Sequence, residues 1–275
     1  MNIRRRGLPP GWYPGSESST KRAIERMMAN IEKEDLNGLA GVVPHAGWDF
    51  SGEVSLRVMS ALDSTAQTVV VIGGHLHPSD ANYAAKEDMY ETPIGLIKAD
   101  IELLKLLETE TELAEDRYTD NTVEIQLPLV RYMFPEAKVL WLRSSPSERA
   151  IKLGNALARC SKKLDRRIIV LGSTDLTHYG LNYGFMPMGL GKSAVEWVKN
   201  VNDREFLDLL LSFKAEEAIR HAVKNKSACS AGAAVAALTY AKETGRTKSK
   251  LVAYKTSYDV YPGESFVGYG GIVYY

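Results

Sequence analysis

The chain has 275 residues with equal numbers of acidic and basic side chains, so its formal net charge is zero. A neutral chain has no long-range field to draw it to nucleic acid or to an anionic membrane surface. Hydrophobic residues make up 45% of the sequence and charged residues 25%, which is ordinary for a globular protein. We therefore expect neither a nucleic-acid-binding protein nor a membrane protein.

The N-terminal residues and the cysteines indicate a cytoplasmic protein. Residues 1–7 are basic but no apolar segment of the secretory type follows them, and no run of about 18 apolar residues could span a membrane. The only cysteines, Cys160 and Cys229, are too few for a disulfide framework in a chain of this length. We expect a reducing, cytoplasmic environment.

Apolar runs and amphipathic segments alternate along the chain. In chain order, the pattern predicts a helix at 20–32, strands at 39–43 and 68–72, a helix at 101–107, a strand at 138–142, a helix at 150–157, a strand at 167–171, two helices within 192–223, a buried helix at 228–240 and a strand-like tail at 250–275. The four strands before the tail are apolar on both faces, which is typical of strands covered by helices on both sides. The sequence therefore predicts a single α/β domain over 1–275, with a mostly parallel or mixed sheet and helices on both faces.

Three of the predicted strands end in polar clusters that contain histidine. His45 follows the first strand, His75 and His77 follow the second, and Asp175 and His178 follow the fourth. In an open α/β sheet, ligands bind outside the carboxyl ends of the strands. Histidine is the usual ligand of first-row metals and the usual acid or base near neutral pH. Each histidine alone is typical of a turn, but their shared placement favours a functional site.

Some of these residues allow two interpretations. One of His75 and His77 supplies a functional nitrogen, and the sequence does not say which. Asp175 lies three residues before His178, so its carboxylate either orients that imidazole or caps a following helix. Glu124 is polar within an apolar stretch, and it either starts a solvated helix or points into the pocket.

The two cysteines have different surroundings. Cys229 lies where the small, apolar helix of residues 228–240 begins, and a thiolate near a helix N-terminus is a good ligand or nucleophile. Cys160 lies within an amphipathic helix without such a context, so we expect it to be structural. Cys229 is therefore the cysteine that we expect at the site.

Five motifs occur in an order that a known family shares. They are GLPPGWYPG at 7–15, PHAGWDFSG at 44–52, ETPIG at 91–95, STDLTHYG at 173–180, and the closing pair SYDV at 257–260 with VGYGG at 267–271. Together these motifs resemble the Memo family, also called the AmmeMemoRadiSam system protein B family. The resemblance covers the whole chain.

The resemblance implies the fold of the class III extradiol dioxygenases, which are non-heme iron(II) enzymes. It also implies a metal cleft whose ligands fall on His45, on His75 or His77, and on Cys229. In the dioxygenases the third ligand is a carboxylate. A thiolate is a softer ligand, so the resemblance implies iron(II) first, with copper or zinc as alternatives.

The resemblance also places an acid or base at His178, with Asp175 beside it. This sequence departs from the family at two points. Residues 73–77 read GGHLH where the family usually reads Gly-Pro-Ser-His, and Asn121 stands where the family has a histidine, although Glu124 is kept. Asparagine can be neither an acid nor a base, so a proton relay cannot pass through that position.

The function implied is a metal-dependent, dioxygenase-like oxidoreductase with a small-molecule substrate and with Trp12, Trp48 and Tyr179 lining the cleft. A second hypothesis is a non-catalytic module that binds a peptide or a partner protein in the same cleft. The family name would then imply radical-SAM and AMMECR-like partner proteins. A third hypothesis, a cysteine hydrolase that uses Cys229 and His178, leaves His45 without a role.

Overall fold

The strands of the protein form two mixed sheets, one of nine strands and one of three, in a computed structural model that describes residues 1–275. The three-stranded sheet has the order β1-β5-β6, and the path of the larger sheet is β10-β12-β2-β9-β3-β8-β4-β7, with β11 paired to β12. The bounds are β1 Ile3–Arg4, β2 Ala40–Val43, β3 Thr68–Gly73, β4 Tyr83–Ala84, β5 Met89–Thr92, β6 Gly95–Lys98, β7 Ala114–Glu115, β8 Lys138–Arg143, β9 Ile168–Ser173, β10 His178–Tyr179, β11 Ser249–Thr256 and β12 Phe266–Tyr274.

The centre of the larger sheet is parallel, in the order β2-β9-β3-β8. These four strands are the four apolar runs that the sequence predicts, and every residue of β2, β3 and β9 is buried. Because β2, β9 and β3 are neighbours, their carboxyl ends lie side by side at one edge of the sheet. The tail contributes the antiparallel pair of β11 and β12, and β12 pairs with β2.

Helices cover both faces of the larger sheet, as the sequence predicts for an α/β protein. Along β3, Val70 and Ile72 belong to one hydrophobic core, whereas Val69 and Val71 belong to the other, because alternate residues of a strand face opposite sides. The helices are α1 Glu17–Met28, α2 Trp48–Ser60, α3 Ile101–Glu110, α4 Asn121–Glu124, α5 Leu127–Met133, α6 Glu148–Leu164, α7 Lys192–Trp197, α8 Asp203–Leu211, α9 Ala215–Asn225, α10 Ala231–Glu243 and α11 Ser257–Val260. None is long and apolar enough to cross a membrane.

The buried helix α10 lies close against the sheet because small residues separate the two. It is built largely of alanine, and all residues from Ala231 to Ala241 are buried. Where it crosses β9, a Cβ atom on Gly172 would lie 2.5 Å from the carbonyl oxygen of Ala233. Glycine therefore permits a close approach here, which brings the start of α10, and Cys229 just before it, to the carboxyl ends of β2 and β9.

The small sheet is one part of the fold that the sequence pattern does not predict, and helix α2, the short helices α4 and α5 and the short strands β4, β7 and β10 are others. The strands of the small sheet have two to four residues, and β1 pairs in parallel with β5, more than eighty residues away. Strands this short have too few residues to show a hydrophobic period. This sheet fastens the N-terminal segment beside the larger sheet.

Candidate metal centre

The turns after β2, β3 and β9 bring the predicted histidines together. Strand β2 ends before Pro44, which has no N–H to continue the strand pairing, and His45 follows before α2 begins. Strand β3 ends at Gly73, and Gly74 has φ +116°, a backbone conformation that glycine adopts readily. This sharp turn points His75 towards His45. The three turns lie together because their strands are neighbours in the sheet.

His45, His75 and Cys229 form a cluster of nitrogen and sulfur atoms at this edge. The Nε2 atom of His45 lies 3.1 Å from Nε2 of His75 and 3.1 Å from Sγ of Cys229. One ligand atom from each of the three residues lies within 4.8 Å of the others. The two imidazole rings meet edge to face, with their centroids 5.0 Å apart. Two imidazoles and a thiol in this arrangement are a typical donor set for a first-row transition metal.

Burial disfavours the charged forms of His45 and Cys229. Burial lowers the pKa of His45 well below its usual value, and the neighbouring His75 lowers it further. Burial also raises the pKa of the Cys229 thiol to about 12, and the carboxylate of Asp175 contributes in the same direction. The sequence predicts that the start of the following helix favours the thiolate of Cys229. In the structure burial has the larger effect on the pKa, so the thiol stays protonated. A thiolate here requires a cation next to the sulfur.

Buried hydrogen bonds hold the His45 turn in place. The backbone N–H of His45 donates to Oδ1 of Asp175 over 2.7 Å, and Nδ1 of its ring lies 3.3 Å from Oγ of Ser173. Gln126 donates from Nε2 to the carbonyl oxygen of Pro44, at 2.7 Å, and to Oγ of Ser173, at 3.2 Å. These contacts hold the His45 ring by its Nδ1 atom and leave Nε2 directed towards the cluster, as is usual for histidines that bind metals.

Asp175 has neither of the two roles predicted from the sequence. No helix follows it for it to cap, since the next element is β10, and it forms no hydrogen bond with His178. Its Oδ1 instead accepts the N–H of His45, and its Oδ2 lies 4.0 Å from the Nε2 atom of that residue. Burial raises the pKa of Asp175 to about 6. The carboxylate therefore positions the His45 turn and faces the cluster.

His178 presents a free nitrogen to the same space. Its Nδ1 lies 3.2 Å from the carbonyl oxygen of Leu176, which can only accept, so Nδ1 carries the proton and Nε2 has a lone pair. Burial lowers the pKa of His178, with the charge of Asp175 opposing the effect. The ring meets Tyr183 edge to face, at 4.9 Å between centroids. His178 is therefore a neutral base at neutral pH.

A cavity of about 460 Å³ opens beside the cluster. Its lining combines polar side chains with aromatic ones. Asn121, which stands where the resemblance implies a histidine, lines this cavity. The complete lining is Trp12, His45, Ala46, Gly47, Phe50, His75, Asn121, Asp175, His178, Tyr183, Ser257, Tyr261, Ser265, Val267 and Tyr269. A cavity of this size fits a small molecule.

The structure places His77 and Glu124 away from this cavity. His77 is exposed and bonded within its own turn, with Nδ1 2.7 Å from Oγ of Ser79, so it does not join the cluster. The carboxylate of Glu124 accepts hydrogen bonds from the backbone N–H groups of Gly7 and Leu8 and from the hydroxyl of Tyr13. Glu124 therefore anchors the N-terminal segment instead of pointing into the pocket.

Two of the three aromatic residues expected in the cleft lie in the core. Trp48 is buried against Tyr13 and donates its indole N–H to the carbonyl oxygen of Ile125. Tyr179 is buried and stacks on Phe266, with 5.3 Å between ring centroids. Only Trp12 lines the cavity as expected. Trp48 and Tyr179 each follow a turn that carries a site histidine, at a point where the chain returns to the interior.

The site residues predicted from the sequence include neither Gln126 nor Tyr183. Gln126 is polar in the same apolar stretch as Glu124, and this pattern pointed to both residues without separating them. Tyr183 lies between Gly180 and Gly184, five residues after His178. An aromatic residue held between glycines next to a site histidine is the signal that could have identified it.

The fold and the cluster define an α/β protein with a His/His/Cys site at the carboxyl ends of parallel strands. A family model described as Memo-like protein matches residues 5–273. This chain belongs to the Memo family. Among the curated relatives, a MEMO1 family protein of Methanococcoides burtonii is 29% identical over 95% of this chain and 96% of its own length, and one of Pyrococcus abyssi is 30% identical over 98% and 99%.

One solved structure supports the fold alone. The structure of an uncharacterized protein from Escherichia coli K12 matches with a TM-score of 0.55 and 11% sequence identity. The match covers 84% of this chain and 98% of that chain. At this identity the similarity describes the arrangement of strands and helices and says nothing about the chemistry.

Proposed function

We propose that this Memo-family protein is a metal-dependent oxidoreductase whose non-heme iron is held by His45, His75 and Cys229. The observation that carries the proposal is the convergence of three ligand atoms within 4.8 Å of one another, beside a cavity, at the carboxyl ends of parallel strands. The substrate is a small molecule bound in that cavity.

The donor atoms fit a single ion. Ligand atoms that each lie about 2.0 to 2.3 Å from one ion are at most about 4.6 Å apart. Two of the three pairs here are 3.1 Å apart, and the third pair, between His75 and Cys229, lies within 4.8 Å, so a small movement of the exposed His75 turn would be enough for all three to reach one ion. His45 is neutral, as a ligand must be, and a cation would offset the burial that keeps Cys229 protonated. Two imidazoles with a thiolate also suit copper or zinc, which are the alternatives to iron.

The side chains around the ion would then have separate tasks. When bound, iron(II) supplies a redox-active Lewis acid that polarises the substrate. His178 accepts a proton from the substrate at Nε2, because its Nδ1 is already bonded to the carbonyl oxygen of Leu176. Asp175 keeps the His45 turn in register, and Tyr183 covers His178 from the solvent side.

A second candidate is a non-catalytic module that binds a peptide or partner protein and works with radical-SAM and AMMECR-like proteins. The segment that places Tyr183 at the cavity carries a group of exposed apolar side chains, which favours contact with another protein. They are Leu181, Tyr183, Met186, Met188 and Leu190. Both cysteines are free thiols, which supports a cytoplasmic setting for either candidate.

Metal analysis of anaerobically purified protein tests the proposal. We expect about one equivalent of iron, copper or zinc in the wild type and a large loss in His45→Ala, His75→Ala and Cys229→Ala. His77→Ala and Cys160→Ala are matched controls and should keep the metal, because neither residue belongs to the cluster. A wild type that cannot be loaded with any of the three metals would overturn the proposal.

Oxygen uptake separates the enzyme from the binding module. We expect the iron-loaded protein to consume oxygen with a subset of a panel of small phenols and catechols, and His178→Gln to lose most of this uptake while keeping the metal. Stoichiometric metal without uptake for any compound, together with co-purification of a partner that depends on Met186 and Met188, would favour the binding module.

A further inference from the structure

A second cavity meets the first one at the candidate metal centre. It has a volume of about 440 Å³, and His75, His178 and Tyr183 line both cavities. The candidate ligands divide between them: His45 faces the first cavity, Cys229 faces the second, and His75 faces both. The candidate metal centre therefore lies between two neighbouring cavities, which form the first arm and the second arm of the candidate binding region.

The two arms differ in chemistry. Trp12, Phe50 and Tyr261 line the first arm together with polar groups. The second arm is lined by Phe185, Ala222 and Ala228, and its one side chain with a permanent charge is Lys226. A mostly apolar arm with one permanently charged cation in its lining fits an apolar chain that carries one anion.

Lys226 is available for such a contact. Its side chain forms no ion pair with any carboxylate of the protein, and its Nζ lies 5.4 Å from the centre of the Phe185 ring. It ends helix α9 with φ +51°, which turns the backbone out of the helix. The aromatic ring holds the ammonium group along the wall of the arm.

We infer that the substrate is an extended organic carboxylate, with its reacting group at the candidate metal centre, its apolar part in the second arm and its carboxylate on Lys226. A carboxylate fits better than a phosphate, because one lysine supplies a single point charge and the arm contains no arginine to bind several phosphate oxygens. This inference rests on the proposed function in one respect, namely that the cluster marks the reacting centre.

Calorimetric binding of two probes of equal length tests the inference. We expect wild-type protein to bind 4-phenylbutyrate about fivefold more tightly than 4-phenylbutan-1-ol, which lacks the charge. Lys226→Met should bind the two equally, since it keeps the length of the side chain but not the charge. Lys226→Arg should keep the preference, and so should Lys224→Met, an exposed lysine on α9 that does not line the arm.

Measuring the metal content of each variant distinguishes a failure of this inference from a failure of the proposed function. Each variant is measured with and without metal, and Lys226→Met should contain as much metal as the wild type. A preference for the carboxylate that persists in Lys226→Met would overturn the inference, because the carboxylate would then bind to a group other than Lys226, such as the metal. A preference that disappears in Lys226→Met in a protein that binds no metal would support the binding arm and contradict the proposed function.

Discussion

The turns that carry His45 and His75 differ in how firmly the protein holds them. His45 is 2% exposed, its backbone N–H is bonded to Asp175, and its ring lies against Ser173, which Gln126 holds in turn. His75 is exposed, and the only hydrogen-bond partner of its ring is the Nε2 atom of His45. The fold therefore fixes the position of His45, whereas the ring of His75 is held only by its contact with His45.

This difference indicates how a metal would enter the site. His45 and Cys229 would form a preformed half-site, because their turns are held by β9 and by the start of α10. His75 would then complete the coordination of a bound ion from the exposed turn that follows β3. Ligands that the fold holds in advance add to metal affinity, because no ordering cost is incurred on binding.

The largest expected effect comes from removing the carboxylate that supports the His45 turn. Asp175→Ala leaves the buried N–H of His45 without its partner, so we expect the free energy of unfolding to fall by about 2 kcal/mol and the metal to be lost. Urea denaturation and metal analysis measure the two effects. Asp80→Ala is the matched control, since Asp80 accepts the N–H of exposed His77 over the same 2.7 Å.

The control should lose less than about 0.5 kcal/mol, because water replaces the carboxylate at an exposed N–H. Equal losses in the two variants would contradict the comparison, since they would mean that burial of the His45 turn contributes nothing. An Asp175→Ala protein with a full complement of metal would show that the turn does not need this support.

A smaller effect is expected from the hydroxyl group behind the His45 ring. Ser173→Ala removes the partner of Nδ1 but leaves Gln126 bonded to Pro44, so we expect metal affinity to fall about tenfold with little change in stability. Competition with a coloured chelator measures the affinity. Ser79→Ala removes a hydroxyl 2.7 Å from Nδ1 of His77, and it should leave the affinity unchanged.

The site could be predicted from the sequence where it depends on strand ends, but not where it depends on the geometry of a turn. The run Thr68-Val69-Val70-Val71-Ile72 identifies β3, and the two histidines just after it are thereby predicted to lie at the site. The choice between His75 and His77 depends on the positive φ of Gly74 and on the hydrogen bond between His77 and Ser79, neither of which shows in a hydrophobic pattern. Residues two apart in a turn can point in opposite directions.

Glu124 and Gln126 show the same limit. Both are polar in one apolar stretch, but Glu124 ends α4 and Gln126 lies in the turn before α5, so that Gln126 supports Ser173 while Glu124 binds the N-terminal segment. That segment reaches Glu124 across more than a hundred residues of sequence. Contacts between residues this distant in sequence are determined by tertiary packing, so the local periodicity of hydrophobic residues does not predict them.

The turn after β9 offers a test that does not depend on the metal, because its support should change with pH while the metal content stays the same. Buried Asp203 accepts hydrogen bonds from the N–H of Thr177 and from the hydroxyl of Tyr254, and burial raises its pKa to about 7. Between about pH 4 and pH 7 the folded protein thus keeps a proton that the unfolded chain has released. The free energy of unfolding should fall as the pH rises through this window, by up to about 1.4 kcal/mol for each pH unit.

Asp203→Asn should remove the contribution of Asp203 to this slope, because the amide does not titrate, while Asp175 keeps its own contribution below about pH 6 and the metal content stays that of the wild type. Urea denaturation at intervals between pH 4.5 and pH 8 measures the slope. Asp208→Asn is the control, since Asp208 is exposed on the same helix and paired with Arg204, and it should keep the slope of the wild type. Parallel pH profiles for wild type and Asp203→Asn would show that Asp203 is already ionised in the folded protein, so that Thr177 would be held next to His178 by a permanent charge.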